Sequence, residues 1–148
     1  MAELFFQEWL DEVAAAFFDE RFDLYENAVS LPLEIVSERR ASTIGTQDGL
    51  KLKFDQWVSM MQTHRVTDMI RIARGVTRLS PDRIVGDYDT EILSNGARVM
   101  PAFSSSMMLE KQGNIWRAVR VTTGMTQDQW PLFFANTKIE TDGSGRAS

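Results

Sequence analysis

The chain contains no cysteine, which removes both a disulfide framework and a thiol nucleophile. It has a single histidine, His64, so a two-histidine zinc site, a His-x-x-x-His pair and a histidine-based facial triad are excluded. A Ser-His-Asp triad would have to recruit His64, which lies near the end of a helical stripe, where capping or solvent exposure is the expected role. Glycine is present but not as a phosphate loop: Gly143 and Gly145 fall in a polar terminal stretch, and Gly45 and Gly49 flank a helix cap. No basic leader is visible, because Glu3 and Glu8 occupy the positions where export would need positive charge. The longest apolar run, Val13 to Phe18, is far too short to span a bilayer. A soluble, cytoplasmic protein that meets no membrane and needs no metal or cofactor is therefore expected.

What is present is enough for one well-packed domain. A chain of 148 residues buries about 70% of its unfolded surface on folding. The net charge of −5 argues against a nucleic-acid partner, which would call for clustered Lys and Arg. The charge is unevenly spread. Residues 1–26 hold eight acids against Arg21 alone, whereas from Arg65 to Arg120 nine bases face six acids. A solvated acidic helix face together with cross-strand ion pairs accounts for this, with a basic groove for a small anion as the alternative.

The strongest local signal is a four-strand antiparallel meander between Thr67 and Met125. Its turns are marked by Ser80-Pro81-Asp82, Asn95-Gly96 and Gln112-Gly113-Asn114. Asn-Gly suits a two-residue type I′ turn, which needs positive φ at both central positions. Symmetric pairing about that turn sets Ile92 against Val99, Tyr88 against Phe103 and Ile84 against Met107 on an apolar face. Glu91 with Met100, Asp89 with Ala102 and Asp87 with Ser104 then fall on the other face. A one-residue change in either neighbouring loop reverses the facing of Arg74 and Arg120, so the sequence leaves both open.

Ahead of the meander, Phe6, Trp9, Leu10, Val13 and Phe17 predict an amphipathic helix from about Glu3 to Phe18. A shorter helix is expected over Asp23 to Val29, with Asp23 as N-cap and Leu31-Pro32 as its stop. Leu33, Ile35 and Val36, then Ala41 to Ile44, read as a small hairpin or edge pair. Thr46 is placed to cap a third helix, whose stripe is Leu50, Phe54, Trp57, Val58 and Met61 up to about Gln62. Trp130, Pro131, Leu132, Phe133 and Phe134 form an apolar cluster that must dock somewhere. Residues 1–136 read as one domain and 137–148 as a loose polar tail. The expected class is α+β: a curved antiparallel sheet, a four-strand meander plus short N-terminal strands, wrapped around two to three helices.

This element order, the Leu31-Pro32-Leu33-Glu34-Ile35-Val36 segment after the second helix and the Gly113-Asn114-Ile115-Trp116-Arg117-Ala118-Val119 strand resemble the nuclear transport factor two-like superfamily, whose members share a cystatin-like cone. The resemblance covers Leu4 to Thr123. It implies a pocket between helices and concave sheet, lined by Trp9, Val13 and Phe17, by Phe54, Trp57 and Met61, and by Tyr88, Phe103 and Met107. The same residues also suffice as plain core. Because that superfamily mixes enzymes with binding and assembly domains, no reaction follows from it. Its isomerase-like members use a carboxylate base with tyrosine and carboxylic-acid donors. Their tyrosine falls near Ala15 and their base near Ser37, with Glu34 and Glu38 close by, so the constellation is not matched. Tyr88 is the single weak catalytic candidate. The reading is a small-molecule-binding or accessory domain with an apolar pocket. The alternatives are an isomerase or cyclase acting on a hydrophobic carbonyl compound, and an assembly subunit like a dioxygenase small subunit. A homodimer through the outer sheet face is expected, with Met100, Ala102, Ser104 and Ser106 as its contact residues.

Overall fold

The computed structural model describes residues 2–37 and 40–124. The Trp130–Phe134 cluster, the polar tail and Glu38 lie outside the described residues. Helix α1 runs Ala2–Phe18. Phe6, Trp9, Leu10, Val13 and Phe17 are all buried along one face, while Leu4 is exposed. The helical spacing thus sets which side meets the sheet.

Helix α2 spans Phe22–Asn27 and departs from expectation at both ends. Its N-cap is Arg21 without a side-chain cap, and Asp23 sits in the first turn, paired to Arg21 at 2.8 Å. The acid is favoured there by the helix dipole and by the guanidinium rather than by capping. The helix ends at Asn27, not at the proline. Leu31-Pro32, a cis peptide, falls inside strand β1, Val29–Val36. The ladder from β1 to its parallel neighbour is interrupted between Val29 and Glu34, where a residue without an N–H is tolerated.

Strand β1 pairs antiparallel with β2, Ala41–Ile44, as the expected hairpin. Thr46 then caps helix α3, Gln47–Thr63, its Oγ1 accepting the Gly49 N–H at 3.0 Å. The stripe is buried at Leu50, Phe54, Trp57 and Met61 and half-buried at Val58. Lys53 and Met60 are buried as well. His64 occupies the C-cap position and is exposed.

The meander consists of β3, Asp68–Ser80; β4, Arg83–Ser94; the two-residue β5, Ala97–Arg98; β6, Phe103–Gln112; and β7, Ile115–Thr123. The sheet order is β2-β1-β7-β6-β4-β3, with β5 paired to β4 and β1 running parallel to β7. The result is an α+β cone, a strongly curled half-barrel with the helices on its concave side. Each of the three turns occurs where its signal stands. Asn95 and Gly96 have φ of +50° and +87°, as a type I′ turn requires.

The register beyond that turn is corrected by two residues. Val99 N–H donates to Ile92 O at 2.9 Å, as symmetric pairing demands. In an unbroken ladder Thr90 would face Pro101, but it faces Phe103, and Tyr88 faces Ser105. The chain leaves the ladder at Met100-Pro101-Ala102, since proline cannot donate to it. Ile84 accordingly faces Leu109 rather than Met107. An even shift keeps every side chain on its face, so Tyr88 remains on the helix-covered side. Phe103 becomes its diagonal neighbour rather than its direct partner. On the other face the partners of Asp89 and Asp87 are Ser104 and Ser106.

Gly86, on the concave side of β4, lets α1 come close. A Cβ there would stand 2.4 Å from the Phe6 ring. The ring lies directly on the backbone and also meets Tyr88 edge-on, with centroids 5.9 Å apart.

Candidate functional site

Between α1, α3 and the concave sheet lies a cavity of about 90 Å³. Of the residues singled out by sequence, Trp9, Val13, Phe17, Trp57, Tyr88, Phe103 and Met107 line it. Phe54 and Met61 do not. Phe54 is buried behind the wall, stacked on Phe17 at 5.3 Å, and Met61 belongs to the same packed core. Phe17 is further fixed by Trp57 at 5.7 Å and Tyr25 at 5.0 Å, so one aromatic cluster forms the helical wall. Further lining comes from α2, β1 and β7, through Tyr25, Val29, Leu33, Ile35, Ala118, Val121 and Thr123.

Five polar side chains interrupt this apolar lining on the strands and on α3. Tyr88 is 3% exposed, and burial pushes its phenol up from the ordinary tyrosine value. The nearby Arg71 charge and a hydrogen bond with Ser105 act in the opposite sense, more weakly. The hydroxyl is therefore neutral at neutral pH and serves as a hydrogen-bonding group rather than as a base. Ser105 Oγ donates in turn to Thr123 Oγ1 at 3.2 Å, extending a short polar line across β4, β6 and β7. Lys53 reaches the cavity from α3 while 1% exposed.

Arg71 is the fifth, and its guanidinium stands 5.7 Å from the Tyr88 ring centroid. Its Nε is buried and finds no hydrogen-bond partner among the described residues. The backbone that carries it is tied to α1: Gln7 Nε2 donates to Arg71 O at 2.6 Å, and Ala73 N–H donates to Gln7 Oε1 at 2.8 Å. Sequence reasoning did not single out Arg71 or Lys53. The available signal was strand alternation, because Met69, Arg71 and Ala73 share a face. The exposed Ile70 and Ile72 between them pointed the apolar pattern the wrong way.

The two arginines left open by sequence lie on the outside. Arg74 Nε donates to Asp89 Oδ2 at 2.8 Å and Arg120 Nε to Glu34 Oε1 at 2.9 Å. The expected cross-strand ion pairs are there, joined by Arg83–Glu110 and Arg98–Glu91. This changes the basis of the expected dimer face. Met100 is buried, Ser104 and Ser106 are bonded to Asp89 and Asp87, and only Ala102 of the four keeps the character assigned to it.

The isomerase-type positions do not converge on the cavity. Ala15 is exposed and lines a separate groove between α1, α2 and the start of β7. Ser37 bonds the Arg40 carbonyl, and Glu34 pairs with Arg120 on the outside. Among the described residues no acidic side chain lines the cavity, and no group of three His, Cys, Asp or Glu is arranged to hold a metal. No described helix is long and apolar enough to cross a membrane.

The fold is nuclear transport factor two-like, of the cystatin-like cone type. No protein-family model matches the chain. No curated protein matches it either. Solved structures do. A nuclear transport factor two-like protein of unknown function from Shewanella oneidensis is 10% identical, with a TM-score of 0.58 over 80% of this chain and 94% of its own. A ketosteroid isomerase-like protein from Erwinia carotovora is 18% identical, with a TM-score of 0.56 over 79% and 90%. A domain of unknown function with a cystatin-like fold from Nostoc punctiforme is 9% identical, with a TM-score of 0.62 over 98% and 87%. Likeness at these identities concerns the fold and not the chemistry.

Proposed function

We propose that the protein is a small-molecule-binding domain whose cavity holds a flat hydrophobic molecule with one polar end. The observation that supports this is the cavity itself: aromatic and methionine walls with the buried Tyr88 hydroxyl and Ser105 gathered at the sheet side. Binding sites commonly combine apolar area with a few orienting polar groups. The isomerase or cyclase reading draws its support from the ketosteroid isomerase-like neighbour and from Tyr88. It lacks a carboxylate base among the described lining residues. Binding without turnover is therefore the preferred reading.

The test is a screen of hydrophobic compounds by thermal shift, followed by Tyr88→Phe. The substitution is expected to weaken a ligand oriented by the hydroxyl by about 1 kcal/mol and to leave the fold intact. Loss of turnover of a carbonyl compound in that variant would instead favour the enzyme. A screen in which nothing binds would overturn the pocket reading and favour an assembly role. The proposal includes a homodimer through the outer sheet face, supported by the exposed Ile70 and Ile72 on β3. Light scattering that gives the monomer mass of 16.9 kDa at tens of micromolar would count against it.

A further inference from the structure

Among the described residues, the charged side chains that line the cavity are both cations. Lys53 and Arg71 line it and, among the described residues, no Asp or Glu does, in a chain whose net charge is −5. Elsewhere on the sheet, Arg74, Arg83, Arg98 and Arg120 each have a carboxylate partner. Arg71 instead keeps a buried Nε with no partner among the described residues, beside the Tyr88 ring. An unsatisfied charged donor in an apolar wall costs stability, and ordinary packing gives no reason to retain it. The Gln7 bonds hold its backbone in place before any ligand arrives, so binding has only the side chain left to order. A guanidinium offers Nε and Nη in a planar fork that matches the two oxygens of a carboxylate.

We propose that the polar end of the ligand is an anion, and that the cavity takes an aryl carboxylate, its two oxygens on the Arg71 fork and its ring among Trp9, Phe17 and Trp57. This rests on the pocket reading and adds the chemical class of the ligand. Tyr88 and Ser105 then border the carboxylate as neutral hydrogen-bonding groups.

Three probes with closely matched hydrocarbon parts separate the two readings: phenylacetate, phenylethanol and phenethylamine, titrated against the full chain at neutral pH. Binding is followed by calorimetry and by quenching of tryptophan fluorescence, since Trp9 and Trp57 border the cavity. The expected result is phenylacetate at least about tenfold tighter than phenylethanol, as charge-assisted bonds imply, with phenethylamine the weakest. In Arg71→Gln the preference should fall to within about threefold, the alcohol binding as before. Arg71→Lys, which keeps the charge but loses the fork, should retain part of it. Circular dichroism confirms that each variant folds. If Arg71→Gln does not fold, Arg71→Lys decides, because an unchanged preference in it rejects recognition by the fork. An alcohol that binds wild type as tightly as the carboxylate overturns the anion and leaves the pocket standing. Binding by none of the three overturns both.

Discussion

Arg71 and Arg74 lie three positions apart on β3, yet one ends inside the cone and the other outside. Arg74 is the extra residue of a bulge between Ala73 and Gly75, and it reaches Asp89 across the outer face. Arg71, opposite Thr90 in the regular ladder, points to the concave side and finds the Tyr88 ring. The two faces of the sheet follow different rules. Outside, every pairing is short-range, solvated and replaceable, so each ion pair contributes little. Inside, the same residue type is partly desolvated, and its neighbours are packed rings that cannot move aside. A cation on the inner face therefore acts as a site feature, and one on the outer face as ordinary surface.

The largest effects should come from the spatial strictness of the inner face. Phe6→Ala removes a fully buried ring and should cost about 3–5 kcal/mol in urea unfolding. Gly86→Ala places a methyl against that ring and should cost about 1–3 kcal/mol. Adding Phe6→Leu removes the ring atoms that the methyl meets, so the double variant should be more stable than the sum of the singles. Strict additivity would mean that the close approach is not what limits residue 86.

A subtler contrast is the paired substitution of the two arginines. Arg71→Met replaces a poorly satisfied guanidinium with an apolar side chain in an apolar wall. It should raise stability by about 1 kcal/mol, roughly three degrees in the midpoint, while abolishing carboxylate preference. Arg74→Met should leave the midpoint within about two degrees and leave binding untouched. If Arg74→Met alters ligand binding, or if Arg71→Met destabilises strongly, the inside–outside distinction fails.

The smallest effect sharpens the outer face. The Asp89 carboxyl is held below the usual value by the hydrogen bond from Arg74, and next by that from Ser104. A depressed folded pKa contributes stability that is present above the unfolded value of about 3.9 and is lost as pH falls through the folded value. Asp89→Asn should therefore flatten the acid limb of the stability profile and, at neutral and alkaline pH, lower stability by a small amount that does not vary with pH. Tyr88 tests the opposite face at the other extreme of pH. Its raised folded pKa means that its contribution is complete below about 10 and is lost as pH rises through the folded value. Tyr88→Phe should flatten the alkaline limb alone. Equal responses of both limbs to either substitution would show that the two faces are not electrically separate.

The sequence by itself determined the elements and their faces, because the information is local. The burial of Phe6, Trp9 and Phe17 follows from helical spacing, the Asn95-Gly96 turn from the backbone those residues permit, and the facing of Tyr88 from alternation about that turn. Local signals also have local limits. The Asp23 side chain suits a cap, but the helix starts earlier than that role requires, at Phe22, and Arg21 pairs with the carboxylate instead. Pro101 interrupts the ladder at a place that pattern alone did not mark, and it moved Phe103 from Tyr88 to Thr90. The site's charge was the least legible part. Around Arg71 the apolar residues Ile70 and Ile72 face out and the cation faces in, which inverts the usual pattern. Only tertiary structure could decide that, because the curl of the sheet brings Arg71, Lys53 and Tyr88, from two strands and a helix distant in sequence, around one cavity. No period-2 or 3.6 pattern encodes contacts between elements, and such inversions are expected where function overrides packing.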